Sequence, residues 1–142
     1  MDLSTPYDPE NVFAKILRGD IPAAVIAETD DTLAFMDAFP QTKGHSLVIP
    51  KSQATNLLEI GEAPLAALIA ETQRIARAVH RALQPDGIRL MQFNGSAAGQ
   101  SVFHIHFHIL PIWADQAPGP HGQGQADPET LSALAEDIRA AL

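Results

Sequence analysis

Residues 102–110 read VFHIHFHIL, three histidines alternating with Ile105, Phe107 and Ile109. Successive side chains of a strand point to opposite faces. His104, His106 and His108 therefore share one face, and the apolar trio shares the other, which packs on a core. β-branched and aromatic residues reinforce the strand expectation.

The histidine face admits three readings. In a regular strand His104 and His108 lie roughly 13 Å apart along the backbone, and zinc needs each ligand nitrogen at about 2.0–2.1 Å. One metal therefore cannot gather all three. Two neighbours could share one, with further ligands from His45, His80, His121 or a carboxylate. A solvated face with incidental histidines fits poorly, because the chain holds only six. The third reading is a nucleophile between two helpers. A neutral imidazole attacks phosphorus or carbon near neutral pH, and its other nitrogen needs an acceptor.

Outward from this stretch, NGSAAGQS (94–101) reads as a loop of small residues whose glycines let backbone N–H groups approach an anion. Gln100 and Ser101 add side-chain donors. Before it, GIRLMQF is a strand. APLAALIAETQRIARAVHRALQPDG is the clearest helix, with Leu65, Leu68, Ile69, Ile75, Ala76, Val79 and Leu83 at a 3.6-residue period; Pro64 suits its first turn and Pro85 with Gly87 ends it. HSLVIP, TLAFMD and AAVIAE are short strands, the last two joined by a hairpin-like TDD. PENVFAKILRG is a short helix stopped by Gly19. Residues 117–127 form a Pro/Gly-rich linker, and Asp127-Pro128 opens a last amphipathic helix carrying Leu131, Leu134, Ile138 and Leu142. An α+β domain follows: about five antiparallel strands, with a short N-terminal, a long central and a C-terminal helix packed on one face. Residues 1–116 make the domain proper, and 117–142 are its linker and final helix, part of the same unit.

The chain has 142 residues, 46% of them hydrophobic, which suits one domain with one core, and a formal net charge of −8. No lysine or arginine cluster offers a nucleic-acid surface. No apolar run approaches the roughly 20 residues that span a bilayer, and the start has no secretory pattern. A cytoplasmic protein is expected. With no cysteine, thiol catalysis, disulfides and thiolate zinc sites are excluded.

GQSVFHIHFHILP closely resembles the histidine triad (HIT) motif, His-x-His-x-His followed by two apolar residues. NVFAKILRGDIPAAVIAETDDTLAFMDAFPQTKGHSLVIPKS is similar to the N-terminal half of the same domains, so the resemblance covers about residues 11 to 112. It implies a bacterial HIT- or Hint-like nucleotide hydrolase acting at an α-phosphate. His106 would attack phosphorus and form a nucleotidyl-histidine that water then cleaves. His104 would tie the triad to the rest of the site, His108 would contact the phosphate, and His45 would support the tautomer. Ser101 and Gln100 match positions near the bridging or leaving group, and Gly99 would donate from its backbone. Asp37 matches the acidic residue that takes the ribose hydroxyls, and Val12, Phe13 and Ala38 match the base pocket. The ligand implied is a purine nucleotide such as AMP or an adenosine phosphoramidate. A homodimer with a continuous sheet is implied, formed through the long helix and the strand after it.

The chain departs from the family pattern in two places. Many bacterial relatives bind structural zinc through Cys-x-x-Cys, where this chain has Asn11 and Ala14, with Gln53 at a further ligand place; neither metal nor other cofactor is expected. The family's Asn or Gln eleven residues before the first triad histidine is Phe93 here. Asn94, next along, is the candidate polar contact, although a regular strand turns it to the opposite face. Three alternatives stay open: a dinucleoside polyphosphate hydrolase, a nucleotide-binding interaction module with weak catalysis, and a metalloprotein. His80 is expected to be partly buried packing, and His121 an exposed loop residue.

Overall fold

The computed structural model describes residues 1–120 and 124–142. His121 lies outside them. The elements run in the expected order: α1 (Val12–Arg18), β1 (Val25–Glu28), β2 (Thr32–Met36), β3 (Ser46–Pro50), α2 (Glu62–Leu83), β4 (Gly87–Met91), β5 (Phe107–Ile112) and α3 (Pro128–Ala140). One antiparallel sheet has the strand order β1-β2-β3-β5-β4.

Local chemistry sets the element ends. The Asn11 side chain accepts from the Ala14 N–H and starts α1, and Gly19 closes it in the left-handed conformation. Asp127 caps α3 by accepting from the Thr130 N–H, with proline as its first helical residue. At the TDD turn the Thr29 N–H donates to the Thr32 carbonyl.

The sheet is packed on both faces, which corrects the expectation that helices cover one. Ala34, Met36, Val48 and Ile109 face a cluster completed by Leu68, Ile75 and Val79 of α2 and by Leu131, Leu134 and Ile138 of α3. Leu33, Phe35, Leu47 and Ile49 point the other way, onto Phe13, Ile16 and Leu17 of α1. The two-residue repeat along β2 and β3 puts apolar side chains on both sides, which is why every residue of both strands is buried.

The histidine stretch is not one strand. β5 begins at Phe107, so only His108 of the three lies in the ladder. β3 pairs with β5 as far as Val48 opposite Phe107. Two residues further along β3 stands Pro50, which has no N–H to extend the ladder. Its carbonyl instead meets His104 Nε2 at 2.8 Å. Ile105 leaves β3 altogether and donates from its N–H to the Ala54 carbonyl. Ile105 and Ile109 still point into the α2/α3 cluster, with Phe107 packed against it. His80 is exposed on α2 rather than partly buried, because the i, i+3, i+4 apolar face passes through Ile75, Ala78 and Val79.

Gly44 holds a positive φ of 86° just before β3, and a Cβ there would lie 2.3 Å from Leu83 Cδ1 and 3.3 Å from Pro111 Cγ. Gly19 has a similar φ of 82° with nothing within 4 Å of a Cβ. The left-handed backbone costs a non-glycine residue about 1–2 kcal/mol. Gly19→Ala should lose about that much in urea unfolding. Gly44→Ala should lose measurably more, because Leu83 must also give way, and equal losses would contradict the close approach.

Candidate functional site

Strand parity gathers the site on the α1 face of the sheet. Asp37 follows β2 in phase with Phe35, His45 precedes β3 in phase with Leu47, and His108 stands opposite Leu47 across the β3–β5 ladder. The connection from Asp37 to His45 is a closed loop. The Asp37 N–H donates to the His45 carbonyl at 2.9 Å and the His45 N–H to the Thr42 carbonyl at 3.2 Å. The chain leading into α3 returns across this loop, donating from Gly119 N–H to the Gln41 carbonyl and from Ala126 N–H to the Ala38 carbonyl.

All four histidines are buried: His45 and His104 are 0% exposed, His106 7% and His108 4%. Their ring partners fix where the protons sit. Gln41 donates its backbone N–H to His45 Nδ1 at 3.1 Å, so the His45 proton is on Nε2. Nε2 lies 2.9 Å from His108 Nδ1 and 3.4 Å from Asp37 Oδ2. His108 Nδ1 therefore accepts, and its own proton is on Nε2. His106 Nδ1 lies 2.8 Å from the His104 carbonyl, which can only accept. The His106 proton is thus on Nδ1, and the neutral ring carries its lone pair on Nε2. His104 Nε2 donates to the Pro50 carbonyl, and the Tyr7 hydroxyl lies 2.6 Å from its Nδ1. Each triad histidine also has an aromatic neighbour: Tyr7 at His104, Phe13 edge-on to His106 with centroids 4.9 Å apart, and Phe93 at 5.6 Å from His108.

Asp37, His45 and His108 offer ligand atoms within 4.8 Å of one another. The same proton positions argue against a cation there. With Nδ1 already accepting from Gln41, His45 has a proton and not a lone pair at Nε2, and a metal ligand must present a lone pair. The cluster fits a hydrogen-bonded chain from backbone to His108.

The remaining expected residues divide. Phe13 lines the triad, while Val12 beside it is exposed. Asp37 is buried, and its Oδ1 accepts from the Phe39 N–H at 2.8 Å; Ala38 follows it, half-buried. Ser101 is exposed at the mouth of the histidine stretch. Gln100 works as an internal pin: its Oε1 accepts from Gly95 N–H at 2.7 Å and its Nε2 donates to the Thr55 carbonyl at 2.7 Å. The Gly99 N–H, expected to face an anion, closes a 3-10 turn onto the Ser96 carbonyl at 3.0 Å. Asn94 Oδ1 accepts from the Leu57 N–H and from the Gln92 side-chain amide, both outside the triad. Phe93 lies between Gly99, whose Cβ would be 3.7 Å from its ring, and His108. Tyr7, Gln41 and Pro50 were not identified from sequence. Two of them act through backbone atoms that any residue type carries, and Tyr7 sits outside every motif.

An antiparallel five-stranded sheet with a histidine triad on one face defines a class of domain, and the comparisons identify it. The HIT domain family model matches residues 18–113. A Hit-like protein involved in cell-cycle regulation from Bartonella henselae superimposes with a TM-score of 0.93 at 45% identity, covering 97% of this chain and 100% of that one. Adenosine 5'-monophosphoramidase hnt1 of Schizosaccharomyces pombe is 36% identical over 133 residues, 89% of this chain and 94% of that one. Adenylylsulfatase HINT3 of Arabidopsis thaliana is 37% identical over 124 residues, 83% of this chain and 63% of that one. The chain belongs to the HIT family.

Burial holds the His104 imidazole below the ordinary histidine value of 6.5, against the opposing pull of the Pro50 carbonyl. The unfolded chain then takes up a proton at this residue before the folded one does. Its contribution to stability is complete above pH 6.5 and is lost as pH falls from there through the lower folded value. The urea midpoint should drop between pH 7 and pH 5, and drop less steeply in His104→Gln. Equal slopes would contradict a buried neutral His104.

Proposed function

We propose that the chain is a nucleotide hydrolase that cleaves nucleoside phosphoramidates, or related nucleoside phosphates, at the α-phosphate. The observation that carries this reading is the His106 Nδ1 contact with the His104 carbonyl, which puts the lone pair of a neutral, buried imidazole on Nε2. In the first step Nε2 bonds to phosphorus while the bond to the leaving amine breaks and that amine takes a proton from solvent. The nucleotidyl-histidine carries positive charge on its ring, which the Nδ1–H contact with the carbonyl stabilises. Water then attacks phosphorus, releases the nucleoside monophosphate and restores His106. The His108 Nε2 proton, held there by the relay through His45, can donate to a phosphoryl oxygen. Asp37 would meet the ribose hydroxyls, with Val12, Phe13 and Ala38 beside the base and Ser101 near the leaving group. A purine nucleotide such as AMP is the product.

The sequence likeness to an adenosine 5'-monophosphoramidase and an adenylylsulfatase supports chemistry at an adenylyl phosphorus. A cytoplasmic setting accords with the absence, among the described residues, of a helix long and apolar enough to cross a membrane. His106→Ala should lose about a thousandfold or more in kcat on an adenosine phosphoramidate. Quenching the wild type in alkali should trap an adenylyl adduct by mass spectrometry, and the variant should form none. A variant turning over at the wild-type rate would remove His106 as nucleophile. A clear preference for a dinucleoside polyphosphate at equal concentration would move the substrate class instead.

The reading includes a homodimer. β4 is an edge strand exposed along almost its whole length, with Ile88 36% and Leu90 49% exposed. Bare apolar edges invite pairing with another strand, and a second copy would continue the sheet. Sedimentation should show a dimer in the wild type and a monomer in Leu90→Lys. A wild-type monomer at micromolar concentration would refute this.

A further inference from the structure

We propose that Tyr7 is a positioning residue for the triad: its hydroxyl locks His104, the residue whose carbonyl aims His106. This deepens the proposed function and rests on it for its kinetic consequence. Tyr7 lies in the stretch before α1, 97 positions from His104. Its hydroxyl is 2.6 Å from His104 Nδ1, and the two rings meet edge-on with centroids 5.6 Å apart. The direction of the bond follows from the far side of the imidazole. His104 Nε2 faces the Pro50 carbonyl at 2.8 Å, a group that only accepts, so Nε2 carries the proton. The neutral ring then presents a lone pair at Nδ1, and Tyr7 donates to it. Burial pushes the Tyr7 hydroxyl above its usual value, so it stays protonated and able to donate through the neutral range.

His104 is thereby held at three points: Nδ1 by Tyr7, Nε2 by Pro50, and its carbonyl by His106 Nδ1. A residue gripped at both ring nitrogens cannot turn without breaking a buried hydrogen bond. The anchored side chain restrains the backbone from His104 to His106, and with it the carbonyl that fixes the proton of His106. Without the hydroxyl, Nδ1 of a buried ring becomes an acceptor with no side-chain donor. His104 is then free to flip its ring or change tautomer, which gives up the Nε2 contact with Pro50 and loosens the anchored segment whose carbonyl holds His106. Outer contacts of this kind typically move rates by about 10–100-fold in the metal sites where they have been measured.

Tyr7→Phe keeps the ring and its edge contact and removes only the hydroxyl. On an adenosine phosphoramidate we expect kcat to fall about tenfold, with KM changed less than twofold. In the wild type, 15N NMR of the imidazoles should show His104 protonated at Nε2 and accepting at Nδ1. In the variant that accepting signature should vanish, and the His106 Nδ1 proton should exchange faster. A folded variant with wild-type kcat would overturn the proposal, as would a wild-type spectrum with His104 protonated at Nδ1. The wild-type spectrum decides even if the variant does not fold. It also separates the two readings: a wild type that forms no adenylyl adduct refutes the proposed reaction, whereas the tautomer of His104 reports on Tyr7 alone.

Discussion

A proline carbonyl at the end of β3 governs how the histidines are presented. Pro50 has no N–H, so the ladder to β5 stops short of it and the chain from His104 to His106 is not required to run as a strand. The carbonyl that would have entered a regular ladder instead takes the His104 ring. In turn the His104 carbonyl is left to accept from His106. A ladder continued by two more residues would have given the Pro50 carbonyl to the Ile105 N–H and denied the His104 ring its acceptor.

Three backbone groups thus set four tautomers. The Gln41 N–H, the Pro50 carbonyl and the His104 carbonyl neither titrate nor change partner with pH, and each determines which nitrogen of its histidine holds the proton. His108 inherits its state from His45. The cost of burying four imidazoles is met by hydrogen bonds to their ring nitrogens. The chain Gln41–His45–His108 is rigid at its origin, because the Asp37–His45 loop is closed on itself and crossed by the segment before α3.

Much of this was legible in the sequence, and the limits are physical. Short apolar runs beside turn residues marked strands in TLAFMD and SLVIP, and the 3.6-residue period of Leu68, Ile75 and Val79 marked α2. Alternation also predicted a strand through His104, and there it failed. Side-chain pattern reports which face a residue takes and says nothing about whether a ladder partner can donate. The proline that ended the ladder was visible in HSLVIP, but its pairing partner was not. The glycine loop was recognised as a loop, yet the N–H groups of Gly95 and Gly99 turn inward, because Gln100 and Ser96 supply acceptors at close range. Small residues signal that a backbone can approach an anion; they do not say that its donors are still unspent. Tyr7 and Gln41 were invisible for a simpler reason: their importance lies in contacts across 97 and 4 positions that no local spacing encodes.

The two-sided packing of the sheet has a consequence for how this domain tolerates change. The chemistry lies on the α1 face, against Phe13, Phe35 and Leu47, whereas α2 and α3 build their cluster on the other side. Drift in the composition of α3 or the register of α2 reaches the histidines through a sheet whose central strands are buried on both faces, except at the Asp37–His45 loop, which Leu83 of α2 approaches and the segment before α3 hydrogen-bonds. Away from that loop the thickness of the sheet acts as insulation, letting one side of the protein be rebuilt for stability while the other keeps its proton arrangement.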